Sequence, residues 1–197
     1  MNYLAHFYLS GKSEPWLVGN FIADAVKGAD FSKYDPEVAA GIRMHRAIDH
    51  FTDHHPVVLQ STQRLRAEYR HYAPVIIDIF YDHFLAVHWN QYSSEKLTDF
   101  AEQSYDTLNR HHAVMPERSA FILKHMKSGD WLSSYRTVKG IERVMGGMAR
   151  RARYESKMET SHVLLEQHYD LFSREFLDYF PELMRFIKSN FPGPHHF

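Results

Sequence analysis

Histidines and aspartates set among apolar residues are where this chain can do chemistry. The run Pro74-Val75-Ile76-Ile77-Asp78-Ile79-Phe80-Tyr81-Asp82-His83-Phe84-Leu85-Ala86-Val87-His88-Trp89 is apolar on nearly every helical face, which predicts a buried helix. Asp78 and Asp82 stand one turn apart on it, and two carboxylates in an apolar interior need compensation, from a cation, an Arg or backbone donors. The segment holds no Lys or Arg, so a divalent cation is the simplest compensation. His83 points about 100° away from Asp82, so this adjacent pair either straddles a site or divides between core and site.

Over residues 36–53, an advance of about 100° per residue puts Val38, Ile42, His45, Asp49 and Asp53 on one face. Two readings are equally open. Either the apolar stripe carries these ionisable groups into a poorly solvated site, or the last two turns point to water. Arg46 flanks the face, where it can neutralise a carboxylate, grip an anion bidentately or make a structural ion pair. Asp24, in Gly19-Asn20-Phe21-Ile22-Ala23-Asp24, and His6 complete a set drawn from several segments: His6, Asp24, His45, Asp49, Asp78, Asp82 and His83. Such donors suit Mn, Fe or Zn, and a cation of that kind promotes hydrolysis of a phosphate ester.

The elements that must position these residues are helices. Apolar residues recur three and four apart through nearly every long segment, and no pair of alternating runs is joined by an Asn-Gly or Asp-Gly turn. We expect helices at 14–27, 36–53, 57–70, 74–90, 95–110, 117–127, 137–150 and 160–189. Ser13, Asp35 and Ser94 read as N-caps, Gly28 and Gly129 as stops, and Pro181 as a break or kink in the last helix. Connections are short and there is no internal repeat or flexible linker, so one compact all-α domain over residues 1–197 is expected.

Composition narrows the chemistry further. With Lys+Arg 23 against Asp+Glu 24, the net charge of -1 gives no global basic field for nucleic acid or an anionic membrane. The absence of cysteine excludes disulfides, thiolate metal sites and cysteine nucleophiles. The first residues lack a basic region and His6 interrupts their apolar run, and no stretch has the length to span a bilayer, so a cytoplasmic location is expected.

Several blocks together resemble the acyl carrier protein phosphodiesterase family. They are Asn2-Tyr3-Leu4-Ala5-His6, the Gly19–Asp24 stretch, Gly41-Ile42-Arg43-Met44-His45-Arg46-Ala47-Ile48-Asp49 with Phe51-Thr52-Asp53 and His55-Pro56, and Asp78-Ile79-Phe80-Tyr81-Asp82-His83-Phe84-Leu85 with Trp89. Met148-Ala149-Arg150-Arg151 fits more loosely, and the order is unchanged along the chain. The family in turn resembles the His-Asp phosphohydrolases, which implies a helical, metal-dependent fold of that type. The resemblance implies cleavage of the phosphodiester between 4′-phosphopantetheine and a carrier-protein serine, a step in fatty acid and lipid metabolism. Mn²⁺ is the favoured cation, with Fe²⁺, Zn²⁺ and Mg²⁺ as alternatives.

Carried over by residue, Asp24, His45, Asp78, Asp82 and His83 become metal-ligand candidates, and His6, Asp49 and Asp53 lie against the metal or its ligands. The wider superfamily is named for a His-Asp doublet, whereas here Asp82-His83 stands in reverse order. Arg46 is expected to stabilise negative charge, and Asp53 or a histidine to shuttle the proton. An acidic carrier protein calls for a basic docking face. Arg64, Arg66 and Arg70 offer one, and Arg143, Arg150, Arg151 and Arg153 a second that we prefer. His54 and His55 read as an exposed turn, and His111, His112, His195 and His196 as surface residues without a role. Three rivals stand behind this reading: action on a nucleotide or other small phosphodiester, a non-catalytic helical binding protein, and a di-iron bundle built on Glu68-His71 and Glu159-His162.

Overall fold

The computed structural model describes residues 1–193, which leaves His195 and His196 outside the described residues. Among those described there is no strand. In chain order the helices are α1 (Tyr3–Leu9), α2 (Glu14–Ile22), α3 (Pro36–His54), α4 (Pro56–Tyr69), α5 (Ala73–Val87), α6 (Trp89–Tyr92), α7 (Leu97–Arg110), α8 (Glu117–Ser128), α9 (Trp131–Ser134), α10 (Val138–Ala149), α11 (Ser161–Gln167) and α12 (Tyr169–Asn190). None is long and apolar enough to cross a membrane.

Local chemistry accounts for most of the boundaries. The Ser13 hydroxyl accepts from the Trp16 amide and the Asp35 carboxylate from the Glu37 amide, each ahead of a proline in the first turn. Ser94 is not a cap: α7 starts two residues later than expected, behind Lys96, without a side-chain cap. The expected helix 14–27 ends early, at Ile22, followed by a single 3-10 turn over Ala23–Ala25. His55 does not hang in an exposed turn; it is buried and its Nδ1 accepts from the Val57 amide to start α4. Pro181 breaks nothing. Its ring is on the exposed side of α12, where water can satisfy the carbonyl left without a donor, and the expected helix 160–189 divides instead at His168.

The core forms around α5, whose Ile76, Ile77, Ile79, Phe80, Phe84 and Leu85 are fully buried. Each such side chain contributes roughly 1.5–3 kcal/mol on leaving water. Phe172, Phe176, Tyr179 and Phe180 of α12 close one side of this core. On another side α2 and α3 approach closely because glycines stand at the crossing. A methyl at Gly19 would meet the Val38 carbonyl oxygen at 2.0 Å, and one at Gly41 the Trp16 carbonyl oxygen at 2.4 Å. That approach brings Asn20 of α2 against His45 of α3.

Helix α1, which the periodicity of so short a segment does not signal, is fixed at its start by two side chains. Asn2 accepts from the Tyr3 amide, and Asp82, fully buried on α5, accepts from the amides of Leu4 at 2.7 Å and Ala5 at 3.2 Å. A buried carboxylate placed against first-turn donors satisfies them and complements the helix dipole. Through α1 it sets the position of His6.

Candidate metal centre

His6, His45 and Asp49 present ligand atoms that all lie within 4.8 Å of one another, the only such trio of His and carboxylate groups among the described residues. The imidazoles stack with centroids 4.2 Å apart. Asn20 orients both: its Oδ1 accepts from Nδ1 of His6 at 2.8 Å and Nδ1 of His45 at 3.0 Å. The carboxamide itself is held the right way round, since its Nδ2 donates to the His6 carbonyl at 2.8 Å and the Ser10 hydroxyl at 3.1 Å. With both Nδ1 atoms tied down, both Nε2 atoms face Asp49, each 3.1 Å from one of its carboxylate oxygens, and that of His6 also lies 3.2 Å from the Met1 carbonyl oxygen. Asp24 stands 3.3 Å from the same nitrogen of His45.

The electrostatics follow from this crowding. Burial opposes charge on His45, but Asp24 and Asp49 outweigh it and lift the imidazole to about 9. Burial, aided by His45, holds His6 below its ordinary range. Asp49 is pushed up by burial yet lies well below the carboxylate range because His6 and His45 face it. The hydrogen bond from His45 lowers Asp24 as well. Two imidazole Nε2 atoms and a carboxylate converging from two helices, with the far ring nitrogens anchored by one amide, form a donor set and orientation that fit a divalent cation.

The trio opens into a cavity of about 890 Å³. Asp24, Asp53 and Asp78 also line it, so six of the nine residues expected to act in catalysis or metal binding share one space. Asp78 is engaged there by the Met1 amino group at 2.9 Å. Asp53 is raised by burial and by the neighbouring Asp78.

The structure places three of the expected site residues away from the trio. Asp82 faces the α1 amides rather than the cavity, and burial raises it to about 7 against the pull of the Met1 amino group and those amides. His83 has both nitrogens committed, Nδ1 to the Tyr135 carbonyl at 2.6 Å and Nε2 to the Tyr169 hydroxyl at 2.9 Å. Neither is disposed to bind a metal at the trio. Arg46 donates to the carbonyls of Gly28 at 2.7 Å and Val26 at 2.9 Å and lies over Phe31, so it braces the loop behind Asp24 instead of reaching a substrate.

Asn20 is the functional residue that sequence reasoning passed over, although an amide in an otherwise apolar, buried turn was its signal. Arg118 was also missed; it lines the cavity from α8, beyond the segments that carried the clearest pattern. Of the expected docking residues, Arg143 and Arg150 are exposed and form no ion pair among the described residues, while Arg151 turns into the cavity and lies over Trp131. Arg64, on the other basic face, is occupied by Glu175 at 2.6 Å. Glu68 and His71 are exposed, and no four-residue di-iron set forms with Glu159 and His162 among the described residues.

Comparison with known proteins places the chain in a family. The family described as acyl carrier protein phosphodiesterase matches residues 1–183. A Yersinia pestis protein named acyl carrier protein phosphodiesterase is 36% identical over 186 residues, covering 94% of this chain and 96% of its own. One of the same name from Escherichia coli (strain K12 / DH10B) is 35% identical over 189 residues, covering 93% and 96%. No solved structure matches the chain.

Proposed function

The chain belongs to the acyl carrier protein phosphodiesterase family, and on that premise we propose that it hydrolyses the phosphodiester of holo-acyl carrier protein. The products are 4′-phosphopantetheine and the apo carrier. The reading rests on one observation above the others: Asn20 accepts from both Nδ1 atoms, so the two Nε2 atoms and Asp49 are presented together to an open cavity.

In this proposal His6, His45 and Asp49 hold a divalent cation, Mn²⁺ by preference, with Asp24 beside it. The cation supplies positive charge to the phosphoryl oxygens and makes water a better nucleophile near neutral pH. Attack of water on phosphorus breaks the bond to the serine oxygen, which leaves with a proton. Asp53, raised by burial beside Asp78, is suited to carry that proton. Arg118 and Arg151 face the same cavity and neutralise the phosphate as negative charge builds on its oxygens. The kinship with His-Asp phosphohydrolases enters only as shared reaction type. The carrier meets the enzyme in the cytoplasm, docking through Arg143 in the middle of α10 and Arg150 at its end, and the reaction belongs to lipid metabolism.

Intact mass of a holo carrier incubated with the protein tests the reading. Loss of the phosphopantetheine mass with Mn²⁺, and none with chelator, is expected; an unchanged carrier under both conditions overturns it.

A further inference from the structure

The cavity has two unlike walls. Residues from the first 78 positions, including His6, Asp24, His45 and Asp49, make one of them polar. The other comes from α8 to α10, where Phe121, Ile122, Trp131, Val144 and Met148 line the same space. Phe121 is 59% exposed, lining this space with one side of its ring edge-on to His125. Arg118 and Arg151 line the same space. Neither forms an ion pair among the described residues, and Arg151 is steadied by the Trp131 ring, 5.6 Å from its centroid.

A phosphate group alone has no use for an apolar wall or for a space this large. Small-molecule sites of about 300–1,000 Å³ enclose a whole ligand with a few placed polar groups, and this cavity falls near the upper end of that range. The carrier is a folded protein and is far too large to enter, whereas the phosphopantetheine arm is a narrow, uncharged chain beyond its phosphate. The order of groups matches: phosphate between the His/Asp trio and the two arginines, then the gem-dimethyl and methylene groups of the arm along the apolar wall, with its hydroxyl and amides toward the polar wall and solvent.

We infer that Phe121, Ile122, Trp131, Val144 and Met148 form the subsite for the pantetheine arm, so that the arm enters the cavity and the carrier serine stays at its mouth. This rests on the phosphodiesterase reading and adds a direction to it. The wall then sets specificity for the arm that stays on the phosphate when the serine oxygen leaves, and a phosphodiester without such an arm loses most of its affinity.

Calorimetric titration of the Mn²⁺-loaded protein with 4′-phosphopantetheine and with inorganic phosphate tests the assignment. Phosphopantetheine is expected to bind more tightly than phosphate, and Phe121→Ala to weaken it about 10-fold while Phe121→Leu restores most of the loss. Phosphate affinity should stay within about 2-fold in both variants. Val114→Ala, which removes an exposed apolar side chain outside the cavity, should change neither. Equal affinity for the two ligands, or equal effects of Phe121→Ala and Val114→Ala, overturns the subsite. Cleavage of holo carrier measured in parallel separates the two ideas. Turnover without Phe121-dependent binding defeats the subsite alone, and Phe121-dependent binding without turnover defeats the reaction alone.

Discussion

Two pairs of histidine and aspartate sit on α3 and on the central helix α5, and the chain uses them in opposite ways. His45 and Asp49, one turn apart on α3, keep Nε2 and a carboxylate turned toward a cavity, with only the far nitrogen of the ring anchored to Asn20. Asp82 and His83, adjacent on α5, commit their polar atoms to the amides of α1, the Tyr135 carbonyl and the Tyr169 hydroxyl. Both pairs are ionisable groups in apolar surroundings. Burial therefore does not mark a site; what marks it is a set of side chains whose ligand atoms converge on one another beside a space that a ligand can enter.

The sharpest way to break this contrast is to remove one member of each pair. His45→Ala and Asp49→Ala should each abolish turnover of holo carrier with helical content intact by circular dichroism. Asn20→Ala leaves the ligands in place but unanchored, and is expected to lower metal affinity or turnover by about 10- to 100-fold. If Asn20→Ala matched the wild type in both, the orientation ascribed to its carboxamide would be wrong. Asp82→Ala acts through the fold: it strands the first amides of α1 in the interior and should cost about 1–3 kcal/mol in urea unfolding. Folded Asp82→Ala protein should still bind Mn²⁺.

A pH series sharpens the same comparison. Burial holds the His83 imidazole down at about 4. Below its ordinary pKa of 6.5 the unfolded chain takes up a proton that the folded chain refuses. The stability due to a neutral His83 is thus present above pH 6.5 and lost as pH falls toward 4. The wild-type Tm should fall more steeply across that window than the Tm of His83→Gln; parallel slopes would mean that His83 does not stay neutral in the fold. The smallest effect is expected at the rim. Charge reversal at Arg150 should raise KM for holo carrier by roughly 3- to 10-fold at low ionic strength, shrinking with salt, with kcat unchanged.

How much of this is legible in the sequence depends on which kind of pattern is involved. The helical class and the face of α3 that holds His45, Asp49 and Asp53 are carried by a 3.6-residue period, which sequence states directly. Helix α1 is too short for a period to register, and its start is secured by Asp82, distant in sequence. Asp82 and His83 sit apart from the trio for a related reason. An anomalous acid on an apolar helix needs a partner, but sequence does not say whether the partner is a cation or a pair of backbone amides. Asn20 and Arg118 stayed hidden because their roles arise from contacts between segments: one depends on the glycine crossing of α2 and α3, the other on where α8 meets the cavity. The family resemblance reached the same reaction from identities at fixed spacing, without any of this geometry.

The most direct test of the contrast between the two pairs is Mn²⁺ binding by the wild type, His45→Ala and His83→Gln, measured side by side at pH 7 under conditions where each is folded. The account predicts that His45→Ala loses the site and His83→Gln retains it at close to wild-type affinity. Retention by His45→Ala together with loss by His83→Gln would place the cation on the other pair and contradict it.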